Sequence, residues 1–259
     1  MIIDCTVDNH VHTPLCNHAS GTMEQYVQAG VAAGLERIVF LEHLETGINT
    51  AFRSWLTDAD FDVFFAEGNR LKKRYEGRIE IGLGAEVGYN PDCPQRILER
   101  IGEREWDRLG LSYHFITIPG HDEHVNMLSR NRQNLALIDA YGDRRLLTRY
   151  FDTLIEAVQA IPAHTLCHLD AGLRHQPNLY LEDSHYGQIE ILLRQVKRAG
   201  MTLEINTSGY AYRGEPFPRP QVITAAENMG LGFSAASDAH RPEEVGRFFD
   251  RIPGLLRQP

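Results

Sequence analysis

Short apolar runs in this chain repeatedly end in histidine, aspartate or glutamate, and that recurrence restricts its fold more than any other feature. Seven runs read as strands, over 5–10, 37–41, 79–85, 108–112, 165–168, 202–205 and 232–235. At or just beyond the C-terminal ends of six of them stand nine residues of metal-ligand type: His10, His12, His18, His43, Glu86, His114, His168, Asp238 and His240. The remaining run leads into Asn206-Thr207-Ser208. In an open doubly wound sheet only the strand ends at a switch point converge, whereas in a barrel every C-terminal end faces one mouth. The pattern therefore predicts an α/β fold, a seven-stranded TIM-like barrel with its site at the C-terminal ends of the strands. A structural zinc site needs four ligands, usually clustered in pairs. Nine arriving separately predict a multinuclear catalytic centre.

Amphipathic segments alternate with the strands, as βα units require. Thr22 and Gln25 fit a capping box opening a helix through Val27, Val31 and Ala32, which Gly34 ends. A helix over 58–75 carries phenylalanines at 61, 64 and 65 and ends in the basic run LKKRY, which suits a helix C-terminus. Further helices are predicted over 95–104, 134–160 (broken near Gly142), 186–199, 220–229 and 242–249.

His10 and His12 are two apart, so a strand would project both to one face, and Asp238 and His240 repeat that spacing. Asp8, on the same face as His10, is a candidate to orient an imidazole, and Asp170 shares a face with His168. Glu86 closes the apolar run IEIGLGAE, where a carboxylate must find a cation or several donors. His18 lies in the turn-forming stretch PLCNHASG, able to fold back over the mouth. Taken singly, each histidine is explained as well by a strand-end or loop role; together they point to metal. Cys16 beside His18 would not, as a nucleophile, account for the other eight ligand types. The phosphate-binding patterns GxxxxGK[ST] and GxGxxG are missing. His121, His124, His164, His175 and His185 lie in polar stretches and read mostly as solvated, with His121 and His124 in a mobile surface loop.

The 259 residues, 42% hydrophobic, suit a single globular domain of barrel size. No apolar run approaches the roughly 18 residues of a membrane span. The opening MIIDCTVDNHVH lacks a basic region, and the four cysteines form no CxxC pair, so a cytoplasmic protein with reduced thiols is expected. A net charge of −9 argues against long nucleic acid as a partner. A negative protein acting on a phosphate needs a local positive field, which bound cations would supply. Oligomeric state cannot be read from the chain.

The segments DNHVHTPLCNHASGT, FLEH, GAEVGY, SYHFI, HLD, EINTSG and SDAHRPEEVG together resemble the PHP superfamily, and within it the histidinol-phosphate phosphatase branch. The resemblance runs from about residue 8 to about residue 250, so residues 1–259 are expected to form one PHP-type metallophosphoesterase domain. It implies a distorted (β/α)7 barrel and three divalent metal ions, Zn, Mn or Fe. By motif, His10 and His12 would bind one metal with Glu86 and Asp238. Glu86 would bridge to a second held by His114 and His168, and His18, His43 and His240 would hold the third. Arg174 and Ser208 would meet the phosphate. The departures are Gly88, where the family usually has an acidic residue, Tyr113 in SYHFI, and the segment 121–145.

The expected reaction is hydrolysis of a small phosphomonoester by a metal-bridging hydroxide, with L-histidinol phosphate, from histidine biosynthesis, the expected substrate. Another small phosphate ester, a nucleotide, or a metal-binding protein without turnover are the competing readings.

Overall fold

A computed structural model describes residues 3–172, 174–176 and 179–256. Seven parallel strands form one sheet in the order β1 (Val7–Val11), β2 (Arg37–Glu45), β3 (Glu80–Gly88), β4 (Arg108–Ser112), β7 (Thr165–Leu166), β8 (Thr202–Asn206) and β9 (Phe233–Ala236). A separate two-stranded antiparallel hairpin, β5 (Phe115–Ile116) and β6 (Val125–Asn126), follows β4. The sheet curls until its first and last strands meet. Val11 bridges to Ala239, the His12 N–H donates to the Ala239 carbonyl at 3.0 Å, and the Asp238 N–H donates to the His10 carbonyl at 2.9 Å. This is the α/β barrel that the strand pattern predicts.

The central strands are apolar almost without interruption because both faces are covered, one by the barrel interior and the other by helices. In β2, Ile38, Val39, Phe40 and Leu41 are all buried. Gly84 brings β3 and β4 together: a Cβ there would lie 2.2 Å from the Arg108 carbonyl oxygen, so no larger residue fits.

The helices are α1 (Met23–Ala32), α2 (Asp58–Arg74), α3 (Pro94–Gly102), α4 (Arg132–Tyr141), α5 (Asp143–Ala160), α6 (Asp183–Arg198), α7 (Gly209–Arg213) and α8 (Pro220–Asn228). The Thr22/Gln25 capping box is formed, and α2 opens on a second one, Thr57 with Asp60. Phe61 and Phe64 of α2 are fully buried. Burial of that kind is worth about 1.5–3 kcal/mol for each side chain. The break expected near Gly142 falls at that residue, whose φ of 97° only glycine adopts readily.

Two expectations are corrected, and a third is given its place in the fold. Segment 242–249 is no α-helix: a 3₁₀ turn at Pro242–Glu244 gives way to extended Val245 and positive φ at Gly246 and Phe248. The surface loop expected around His121 and His124 is present as the connection of the β5–β6 hairpin, with His121 exposed. The His124 N–H donates to the Asn49 carbonyl at 2.7 Å, and the Asn49 N–H returns a bond to His124 Nδ1 at 3.1 Å. His185 is buried rather than solvated, because its Nδ1 accepts the Glu182 N–H in the box that starts α6. No helix among the described residues is long and apolar enough to cross a membrane.

Candidate metal centre

All nine ligand-type residues reach the C-terminal mouth of the barrel. His10 lies in β1 and His12 just beyond it, where the pairing with β2 shifts register between Asp8 and Val11. A 3₁₀ turn over Pro14–Cys16, closed by left-handed Asn17, folds the chain back so that His18 faces His240. His43 and Glu86 are register partners on β2 and β3. His114 follows β4. His168 and Asp238 follow β7 and β9 with φ of 23° and 51°, values that cost a non-glycine residue energy and collect at functional sites.

Glu86 is the hub, 1% exposed. Its Oε1 lies 2.7 Å from His168 Nε2 and 3.1 Å from His114 Nε2. Its Oε2 lies 2.7 Å from His43 Nδ1, 3.6 Å from His10 Nε2 and 3.8 Å from His12 Nε2. Asp238 Oδ1 approaches His12 Nε2 at 3.2 Å and His10 Nε2 at 4.0 Å. His43 is shared more widely than its motif implies: it groups with Glu86 and His114 and also with His12 and His240.

Outward partners fix the tautomers. Nδ1 of His10 donates to Glu204 at 2.8 Å, and Nδ1 of His114 to Glu45 at 2.7 Å. Nδ1 of His18 donates to the Cys16 carbonyl at 2.8 Å, and Nδ1 of His240 to the Asp238 carbonyl at 3.0 Å. A carbonyl only accepts, so neutral His18 and His240 turn their Nε2 lone pairs toward each other at 2.9 Å. Such a pair requires an added proton or a metal cation. His18 stands exposed at the rim, yet partial desolvation and the imidazoles of His43 and His240 beside it lower it to about 3, and desolvation lowers His240 as well, so the proton is disfavoured. The nine donors are imidazoles and carboxylates, a set that fits divalent cations.

The remaining groups are shifted in both directions. Burial opposes the charged form of His10, but Glu204 and Glu86 outweigh it and raise its pKa. Burial is likewise outweighed at His114, which Glu86 and Glu45 raise to about 10. Burial and neighbouring imidazoles lower His12. Glu86 and Asp238 resist burial and are held low by the histidines around them. The sign for metal-stripped protein follows. Stabilisation from His10 and His114 is complete below the unfolded value of about 6.5 and is lost as pH rises through their folded values. Stabilisation from His12, His18 and His240 is complete above about 6.5 and is lost as pH falls. Calorimetry in chelator should therefore find the highest Tm near pH 6.5, declining on both sides. A Tm that climbs steadily from pH 6.5 to pH 9.5 would contradict this charge arrangement.

Several residues act otherwise than the sequence reading expects. Asp8 orients no imidazole; it accepts the N–H groups of Ser237 and Gly246, both at 2.9 Å, and so anchors the segments flanking Asp238 and His240. Asp170, 2% exposed at its side chain, is held by Arg213 and Arg219 at 2.9 and 3.0 Å and orients no imidazole. Glu204 was missed. It sits inside β8, the one strand read as carrying no ligand type, and binds His10, the His168 N–H and Asn206. Its signal is an acidic residue inside the apolar run TLEIN. Glu45 was missed as well.

Arg174 and Ser208 both line the cleft above the cluster, a cavity of about 570 Å³. The Arg174 guanidinium lies 4.4 Å from the centre of the Tyr212 ring. Ser208 Oγ donates to Asn206 Oδ1 at 2.6 Å and lies 3.5 Å from Asp238 Oδ2. Phe52, Phe115, Arg130 and Tyr212 form more of the rim.

Residues 8–208 match the PHP domain family. The chain belongs to that family. Residues 218–253 match a second description, PHP-associated, and this stretch supplies β9, Asp238 and His240 to the PHP barrel. The PHP chain is 29% identical over 252 residues to a probable histidinol-phosphatase of Deinococcus radiodurans, covering 95% of this chain and 90% of that one. It is 25% identical to the histidinol-phosphatase of Bacillus subtilis, covering 94% and 96%. Among solved structures it superposes on a candidate histidinol phosphatase from Listeria monocytogenes with a TM-score of 0.85 at 21% identity, covering 95% and 99%. A histidinol phosphate phosphatase from Lactococcus lactis, complexed with zinc, L-histidinol and phosphate, gives 0.73 at 18% identity, covering 96% and 91%. Both likenesses show the PHP barrel fold.

Proposed function

We propose that L-histidinol phosphate is the substrate of this metal-dependent phosphatase, which cleaves it to L-histidinol and phosphate. The observation that carries the reading is the cluster of imidazoles around Glu86 at the base of a cleft rimmed by arginine and aromatic side chains. The names of the Deinococcus and Bacillus relatives, and the ligands of the Lactococcus structure, support the substrate.

In this reading three divalent cations would be held, one by His10, His12, Glu86 and Asp238, one by Glu86, His114 and His168, and one by His18, His43 and His240. Bound cations of this class neutralise phosphoryl oxygens and supply a nucleophilic water at neutral pH. The chain's own groups do the rest. Arg174 presents a guanidinium to the phosphate, with Tyr212 beneath to hold its plane. Ser208 offers its hydroxyl beside Asp238. Phe52, Phe115 and Tyr212 suit the imidazole ring of the substrate.

The test is phosphate release from a panel of phosphomonoesters, with metal content measured in parallel. Histidinol phosphate should lead other amino-alcohol and sugar phosphates by more than about tenfold in kcat/KM. A smaller preference would sink the substrate assignment and leave the phosphatase.

A further inference from the structure

Glu45 and Gly88 are register partners at the ends of β2 and β3. In-register residues on adjacent strands project to the same face, so a long side chain can lean over its neighbour when that neighbour is glycine. Here the lean is extreme: an ideal Cβ on Gly88 would lie 2.0, 2.1 and 2.2 Å from the three carboxyl atoms of Glu45. The carboxyl group thus occupies the space of residue 88's own side chain. From there Glu45 Oε1 accepts a hydrogen bond from His114 Nδ1–H at 2.7 Å, while the opposite ring nitrogen lies 3.1 Å from Glu86. The end of β2 is fixed separately: Arg100 donates to the Glu45 carbonyl at 2.8 Å and to Thr46 Oγ1 at 3.3 Å. Glu45 is 3% exposed, and a carboxylate buried that deeply is costly unless it has a strong partner. His114 Nδ1 is the side-chain partner it has.

We propose that Glu45 is a positioning residue for His114, admitted by Gly88, and that it keeps the Nε2 lone pair aimed at the cation shared with Glu86 and His168. This rests on the reading of His114 as a metal ligand. Glu45 and Gly88 then form one device. Any side chain at 88 expels the carboxylate, and an aspartate at 88 would place its own carboxylate in the same space.

The test uses zinc titration of the full chain against a competing chromophoric chelator, thermal melts of the stripped protein, and steady-state kinetics. Glu45→Ala should weaken one zinc by about 10–100-fold, lower kcat to a similar extent and leave KM within about twofold. Gly88→Ala should do the same with Glu45 still present, and it reads the same displacement if Glu45→Ala does not fold. The double variant Glu45→Ala/Gly88→Asp should recover at least about tenfold of the lost affinity. Lower melting with unchanged zinc affinity in both single variants would make Glu45 structural only and overturn the proposal. A folded double variant without recovery would overturn the shared-space argument. His114→Ala is the control: if it binds zinc as the parent does, the ligand reading itself fails, and the role of Glu45 falls with it.

Discussion

Replacing Glu86 with glutamine should lower kcat on the best phosphomonoester by on the order of 10³-fold and release at least one divalent ion. The reason is the position of the carboxylate. Its two oxygens lie between 2.7 and 3.8 Å from nitrogens of five imidazoles. Glutamine keeps the shape, removes the charge that balances cations at this depth, and turns an N–H donor toward nitrogens that should present lone pairs. The size of the loss separates the Glu86 hub from an ordinary buried acid, whose replacement would lower stability first. Metal content by elemental analysis, alongside steady-state kinetics, is the check. A variant that keeps its full metal load and loses less than about tenfold in kcat would remove Glu86 from the centre of the chemistry.

The second large effect is expected at the rim. His18→Ala and His240→Ala should each reduce the bound ions by one per chain and lower kcat by about 10²-fold, with the barrel intact. The facing Nε2 atoms, 2.9 Å apart with both Nδ1 atoms committed to carbonyls, would be satisfied by a cation. Desolvation and the neighbouring imidazoles oppose the competing proton. Because His18 sits on a turn and not on a strand, its removal should leave the circular dichroism spectrum unchanged. If the number of bound ions stays the same in both variants, the two residues do not share a cation.

The ligand types were legible because they sit at strand ends, where an apolar run makes a polar residue conspicuous. His43, Glu86, His114 and His168 could each be found that way, and their convergence follows from the barrel alone. The residues that orient them were not legible, for a physical reason. Glu204 serves His10 and Glu45 serves His114 from other strands, so their partners depend on register and on the space a neighbour leaves. A linear chain carries neither directly. Asp8 looked like an orienting acid from its spacing, yet its oxygens are taken by backbone N–H groups of a segment more than two hundred residues away. The helix expected over 242–249 failed because hydrophobic spacing was read without the positive φ that Gly246 and Phe248 adopt. His185 was misread because its neighbours are polar although its ring closes a capping box.

The seam where β1 meets β9 gives the centre a temporal character. The hydrogen bonds that close the barrel leave His10 and His12 on one side and Asp238 and Ala239 on the other, so cluster and closure share the same residues. During synthesis the first histidines leave the ribosome more than two hundred residues before their last partners. A nascent chain can build most of its helices early, yet the cations proposed to use Asp238 and His240 would not be held until those residues have emerged and docked. Full loading with metal would thus require that the strand closing the barrel has docked.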